Sequence, residues 1–302
     1  MATLRSLGER GLIARISRRL PTERSVELGA GDDAAVVRPP RGQRLLFASD
    51  MLVDGVHFLS DRMPARGIGW KALAVNVSDI AAMGGLPRWA VVSIGLPKST
   101  PVRFVDGLYA GLNACARAFG MSIVGGDTSR ATNLVIDVAI LGTVEPRRAI
   151  RRSGVRTGDV LFVTGRLGGS YRSGRHLTFV PRVREARELA RRVDVHAMMD
   201  LSDGLASDLW QMSRASRRVL RVEAGRVPVA PSAGSVYHAL TDGEDFELLF
   251  SVAERAARRV PRRLGRCPVS RIGTAVRNGV GVELRHPDGR IVRLTPKGFR
   301  HF

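Results

Sequence analysis

Lysine is nearly missing from this chain: Lys71, Lys98 and Lys297 stand among 48 basic residues, and arginine supplies the rest. Aromatic residues are scarce as well, at 5% of 302 residues. The formal net charge of +20 therefore comes without the interleaved rings that a single-strand nucleic-acid surface stacks on. The arginines run along the whole length, which reads as compositional bias more than as a binding face. The densest groups, Arg147-Arg148 with Arg151-Arg152 and residues 182–192, stay as candidate anion sites. An Arg-rich nucleic-acid-binding protein is the alternative from a different functional class. Cysteine is limited to Cys115 and Cys267, far apart and outside any CxxC or Cys/His spacing, which argues against a disulfide framework and a zinc site. Reduced structural thiols suit a cytoplasmic setting. No apolar run reaches the ~18 residues of a membrane span, and Asn76, Ser78 and Asp79 interrupt the best candidate. Arg5, Glu9, Arg10 and Arg15 break up the first residues, so no signal-peptide core is expected.

The ordinary nucleotide signatures are also missing. There is no Gly-Lys dipeptide, hence no P-loop, and no GxGxxG. The kinase HRD and DFG elements and the hydrolase GxSxG are absent too. If phosphate is handled here, a divalent cation and glycine-rich backbone must replace much of what lysine does elsewhere.

What is present centres on residues 71–87. Ala72, Leu73, Val77 and Ile80 recur at the spacing of one apolar helix face, and Gly84-Gly85 with Pro87 supplies a stop. Asn76 and Asp79 lie three apart on one side of that helix. Asp79 falls near the helix C-terminus, where the dipole disfavours a carboxylate. Something positive should face it, either an arginine or a metal ion.

Length predicts two domains, divided in the Arg-, Pro- and Gly-punctuated stretch after residue 144: 1–145 and 146–302. In order, the patterns predict a basic amphipathic helix over 7–20, an apolar strand ending on Ser49-Asp50, the helix just described and a strand over 89–96. A helix over 102–119 follows, then β runs over 121–129 and 134–144. The second half offers strands at 160–165, 268–276 and 279–294, the last with a turn at Pro287-Asp-Gly289. Between them come a helix over 183–193 and an acid-rich entry to a helix near Leu209. Strands and helices alternate loosely, so the class is α/β or α+β, with mixed sheets and flanking helices.

One event recurs: an Asp at the end of an apolar run, beside Gly, Ser or Thr. Asp32-Asp33, Asp50, Asp79, Asp127, Asp200 and Asp203 all fit it. A single case is a turn former. Repeated at several strand ends, the carboxylates offer hard oxygen ligands for Mg²⁺ or Ca²⁺. Magnesium commonly bridges to substrate phosphates, which points to a nucleotide.

With the motifs in hand, the chain resembles the thiamine-monophosphate kinase family. The resemblance rests on Gly31-Asp-Asp-Ala34, Ser49-Asp50 with His57, residues 71–85, Gly125-Gly-Asp-Thr128, Arg152-Ser-Gly154 with Gly158-Asp159, Asp200-Leu-Ser-Asp-Gly-Leu205, Gly243-Glu-Asp-Phe-Glu-Leu248 and Lys297-Gly-Phe-Arg-His-Phe302. It implies two domains of the aminoimidazole ribonucleotide synthetase-like type, with first domains pairing into a homodimer and the second completing the nucleotide and substrate sites. It implies direct transfer of the ATP γ-phosphoryl group to thiamine monophosphate. Asp33, Ser49, Asp50, Asp79, Asp127, Asp200 and Asp203 would hold several Mg²⁺ ions. Tyr109, Gly126, Asp127, Arg152 and Ser202 would meet ATP, and His57, Glu244 and Phe299 the thiamine moiety. Another ATP-using enzyme of the same fold family is the enzyme alternative. The chain departs from the family pattern at Ala48, where a hydroxyl residue is frequent, and at Asp242, where a second glycine is usual. Its stretch between Gly165 and Asp200 is shorter.

Overall fold

The computed structural model describes residues 12, 15–20, 23–28 and 36–299. Asp32, Asp33 and the terminal His301-Phe302 lie outside the described residues. So does much of the amphipathic helix expected over 7–20. Two compact units are present, Met1–Ile80 with Gly85–Arg147, and Ala81–Gly84 with Arg148–Phe302.

In the first unit, β1 (Val26–Leu28) pairs with β2 (Val36–Val37). A separate four-stranded sheet is built from β3 (Arg44–Val53), β4 (Leu86–Leu96), β5 (Ser122–Arg130) and β6 (Val135–Val144), in the order β3-β6-β4-β5. The β4–β5 pair is parallel and the others antiparallel. Two helices accompany it, α1 (Ala65–Ala82) and α2 (Val102–Ala118). Alternation gives this sheet one packed and one open face. Leu46, Leu52, Ile136, Val138 and Ile140 are buried, whereas Leu45, Phe47 and Met51 on the opposite side are 54%, 75% and 56% exposed.

Helix α1 differs from the expected one in two ways. It begins at Ala65, six residues before the stretch that reads as helical, with the Ile68 N–H donating to the Pro64 carbonyl at 3.1 Å. Gly67 and Gly69 lower the helical signal there. They are tolerated because the backbones of α1 and α2 touch: a Cβ at Gly69 would collide with the Leu108 carbonyl, and one at Gly111 with that of Arg66. The second difference is burial. Ala72, Leu73, Val77 and Ile80 are buried, yet so are Ala74, Val75, Asn76 and Ser78. The helix is enclosed on all sides instead of presenting one face. It ends as expected: Gly84 has φ +74°, its N–H donates to Ala81, and the Gly85 N–H donates to Ile80, which is a Schellman closure.

The second unit carries an eight-stranded mixed sheet. Its elements are β7 (Val160–Thr164), α3 (Val183–Arg192), β8 (Val195–Asp200), α4 (Leu205–Ser216), β9 (Arg218–Glu223), α5 (Val236–Thr241), β10 (Leu248–Val252), α6 (Glu254–Ala257), β11 (Arg263–Leu264), β12 (Cys267–Asn278), β13 (Gly281–Arg285) and β14 (Ile291–Arg293). The order is β14-β13-β9-β12-β7-β10-β8, with β11 on β12. Central β7 and β10 are buried along their whole length. Both faces are covered. Leu161 and Val163 pack with α4 residues such as Leu205 and Leu209, while Val160 and Phe162 pack with Ala186 and Leu189 of α3. Strand β9, with Arg218, Arg221 and Glu223 among its apolar residues, is an element the sequence patterns did not mark.

Among the described residues, no helix is long and apolar enough to cross a membrane. Cys115 and Cys267 are both buried and free.

Candidate functional site

In the first unit the acids sit on regular elements. Strand β3 is an edge strand, so some of its N–H groups lack a sheet partner. Asn76 of α1 supplies one: its Oδ1 accepts the Asp50 N–H at 3.1 Å while its Nδ2 donates to the Ala72 carbonyl at 3.1 Å. That clasp brings the Asp50 side chain to the last turn of α1, where its carboxyl hydrogen-bonds that of Asp79. Burial pushes the Asp50 carboxyl above the usual carboxylate range, the bond to Asp79 works against this, and the charge of Asp137 adds to it.

Asp137 is an acid that sequence reasoning passed over. It lies in mid-strand on β6 and accepts from Ser49 Oγ at 3.1 Å. Its signal was available, because it is the one acid inside the apolar run over 134–144. In register, Asp137 stands opposite Met51 on one side and Ser93 on the other, and Ser93 stands opposite Asp127. Asp127 therefore lies on the same row, two strands from Asp137, exposed and accepting from Ser129 Oγ at 3.1 Å. Beside it, Gly126 permits no side chain, since a Cβ would collide with the Val92 carbonyl.

His57 occupies the turn after β3. Its Nδ1 accepts the Val53 N–H at 3.0 Å, which leaves Nε2 carrying the proton in the neutral ring. Lys71, 1% exposed, donates from Nζ to the His57 carbonyl at 2.6 Å. Tyr109 is 6% exposed in the packed face of α2, and burial raises the pKa of its phenol. A nucleotide would meet that ring only after the face unpacked.

In the second unit the candidate residues sit in or beside connecting segments. Three stretches are woven together by backbone bonds. Glu244 N–H donates to the Ser202 carbonyl at 2.7 Å, Phe246 N–H to Leu201 at 2.8 Å, and Phe299 N–H to Asp203 at 3.1 Å. Asp200, Ser202, Asp203, Glu244 and Phe299 are thereby gathered in one loop cluster. Glu244 and Phe246 hold φ values of +54° and +49°, unusual for residues with a Cβ. Phe246 is fixed by stacking on Phe179 at 4.2 Å. Gly298 lies where a Cβ would collide with the Asp203 carbonyl.

Asp208, one turn into α4, is completely buried. Burial, then the charges of Asp203 and Asp200, push its carboxyl well above the usual range. It belongs to the acid-rich helix entry near Leu209, and the sequence assigned it no role. Gln211 donates from Nε2 to Asp203 Oδ2 at 3.1 Å and to Asp208 Oδ1 at 3.2 Å, and its Oε1 accepts from Arg152 at 2.7 Å.

The two departures near this cluster have local partners. Asp242 accepts the Gly169 N–H at 2.9 Å and pairs with His238 Nδ1 at 2.8 Å, so its charge is met within the loop. The short segment after Gly165 is held by Arg175 on Asp245 and Glu247 and by Arg182 on Glu247. Burial raises the Asp245 carboxyl to about 6 despite the Gly168 N–H and Arg175.

The donor set suits a hard cation. It consists of carboxylate and hydroxyl oxygens, and in Asp50 and Asp79 two carboxyls already touch. Among the described residues no three Asp, Glu, His or Cys side chains are grouped closely enough to hold a metal ion by themselves. Magnesium fits such a site, because it commonly takes one or two carboxylates and completes its shell with water and substrate phosphate.

Two family models match the chain: AIR synthase related protein, N-terminal domain, over residues 31–144, and AIR synthase related protein, C-terminal domain, over residues 168–285. The chain is 38% identical to thiamine-monophosphate kinase of Rhodopirellula baltica, covering 94% of this chain and 93% of that protein. The solved thiamine-monophosphate kinase from Stenotrophomonas maltophilia matches with a TM-score of 0.80 and 31% identity, over 92% of this chain and 96% of that one. The structure of AaThiL complexed with AMPPCP and TMP matches with a TM-score of 0.77 and 31% identity, over 100% of this chain and 99% of that one.

Proposed function

Because the chain belongs to the thiamine-monophosphate kinase family, we propose that it transfers the γ-phosphoryl group of ATP in line to thiamine monophosphate. The products are thiamine diphosphate and ADP. The observation that carries the reading is the half-buried Asp50 carboxyl hydrogen-bonded to that of Asp79 and raised chiefly by burial, an arrangement of hard oxygen donors suited to a divalent cation. Magnesium, when bound, neutralises the phosphate charge that would otherwise keep two polyanions apart. Asp50, Asp79, Ser49 and Asp127, with Asp33, which lies outside the described residues, would share several such ions, each ion completed by water and phosphate oxygens. Asp200 and Asp203 would hold further ions beside Ser202.

The chain's other residues bind and orient. Arg152 and the side-chain-free backbone at Gly126 would receive the ATP phosphates. His57 would meet the acceptor molecule beside them. Phe299, 41% exposed, and Glu244 would meet the thiazolium, a cation suited to an aromatic face and a carboxylate. No general base is required, since the accepting phosphate oxygen is already ionised. A second copy of the chain would cover the open sheet face of the first unit, where Leu45, Phe47, Met51 and Val91 are exposed. Phe47→Arg should then yield a monomer by light scattering.

The deciding assay combines purified protein, ATP, Mg²⁺ and thiamine monophosphate and measures thiamine diphosphate. ATP consumption with no such product would move the assignment to another ATP-using enzyme of the same fold family.

A further inference from the structure

The Gln211 amide is held at both ends by groups of opposite kind. A guanidinium can only donate hydrogen bonds and an ionised carboxylate can only accept them. Arg152 on one side at 2.7 Å and Asp203 on the other at 3.1 Å fix the orientation of the amide, whose NH₂ is shared with Asp208 at 3.2 Å. Flipped, it would set its NH₂ against the guanidinium and its oxygen against the Asp203 carboxylate. Asp208 is fully buried in α4, and among the described residues its Oδ2 has no hydrogen-bond partner, so its side-chain link to Arg152 runs through the Gln211 amide on Oδ1. The main chain of Arg152 is anchored to the same helix, since its carbonyl accepts from Ser216 Oγ at 2.9 Å. Both ends of Arg152 are therefore referred to α4.

We propose that Gln211 is a positioning residue, oriented by Asp203 and Asp208, which aims the Arg152 guanidinium at the ATP phosphates and keeps it from pairing directly with Asp203. This rests on the reading that Arg152 meets ATP. The neutral amide is suited to the task. It spans from a cation to two acids without cancelling either charge. A glutamate there would repel Asp203, and an apolar side chain would let Arg152 collapse onto Asp203.

The test is a double-mutant cycle on the full chain. It is read by steady-state kinetics with each substrate varied and by calorimetric binding of a non-hydrolysable ATP analogue with Mg²⁺. Gln211→Met should weaken ATP and the analogue about tenfold, the worth of one charge-assisted hydrogen bond, while the KM for thiamine monophosphate holds. In an Arg152→Ala background the same change should have under about a twofold effect, because the pair acts as one unit. Asp208→Ala should resemble Gln211→Met, and Asp208→Asn, which keeps an acceptor oxygen, should recover most of the ATP affinity. Thermal melts identify any variant that simply fails to fold, and the Gln211 cycle, at a half-buried position, then decides. Additive effects, or normal ATP affinity in Gln211→Met when Arg152→Ala is impaired, would overturn the proposal. Normal ATP affinity in Arg152→Ala overturns it as well and leaves the kinase assignment standing. Absence of thiamine diphosphate with the calorimetric coupling intact overturns the assignment and upholds the positioning.

Discussion

In the first unit Asp50, Asp137 and Asp79 project from two strands and a helix, and ordinary periodicity sets their places. In the second, Asp200, Ser202, Asp203, Glu244 and Phe299 stand in or beside connecting segments. Backbone bonds between three chain stretches and two left-handed residues hold them there. The first arrangement is as rigid as its sheet and enclosed helix. The second is as rigid as a few hydrogen bonds allow. A metal pair that must hold its spacing suits regular elements, whereas a pocket shaped to one acceptor molecule suits loops, which vary without disturbing the core.

The largest expected effect comes from breaking the carboxyl pair on the regular side. Asp79→Asn should lower turnover by about a thousandfold or more, the scale on which metal and electrostatic stabilisation act. The fold should survive, since removing a charge relieves repulsion. A thermal melt beside a product assay checks both, and a variant that retains turnover would end the metal-site reading.

Next comes the stability of the loop side. Asp208→Asn should stabilise the metal-free protein at pH 8 by about 1–3 kcal/mol in urea denaturation, because it removes the charge of a buried carboxyl with an unsatisfied oxygen. The pH dependence has a definite sign. Asp50, Asp208 and Asp245 are all raised, so the folded chain holds protons that the unfolded chain has already released. Their contribution is full below the ordinary carboxylate range near 4 and is lost as pH climbs through the raised values, about 6 for Asp245. Metal-free stability should therefore fall between pH 4 and pH 7, and Asp208→Asn should flatten the slope. A rising profile would contradict the assigned directions.

A smaller change separates the two sides by substrate. Phe299→Ala and Glu244→Gln should each raise the KM for thiamine monophosphate about tenfold, the loss of a desolvated cation–ring or cation–carboxylate contact. ATP should be affected less. If ATP affinity falls instead while that for thiamine monophosphate is kept, the acceptor pocket lies elsewhere. The smallest effect concerns the +20 charge. Duplex DNA should bind weakly, without sequence preference, and be released by salt.

Much of the scaffold was legible. Periodicity marked α2, the strand-rich close of each half and the Gly84-Gly85 helix stop. It also marked the turn at Pro287-Asp-Gly289, where the Gly289 N–H donates to His286 at 2.9 Å. Strand β9 was not legible, since Arg218, Arg221 and Glu223 break the apolar pattern. Its place is set from outside, by pairing with β12 and β13 and by Arg221 on Glu283 at 2.8 Å. The start of α1 was hidden by the glycines that let α2 approach.

By itself the sequence determined which acids end apolar runs, where α1 stops and which family motifs occur, because these are properties of adjacent residues. Tertiary structure alone decided that Asp79 meets Asp50, that Asp137 accepts from Ser49 beside them, and that Gln211 stands between Arg152 and two acids. Those pairings join residues 29, 88 and 59 positions apart along the chain in the Asp50–Asp79, Ser49–Asp137 and Arg152–Gln211 cases. Local propensity carries no information about such distances. They are fixed by which strand lies beside which, and by how closely two helices can pack.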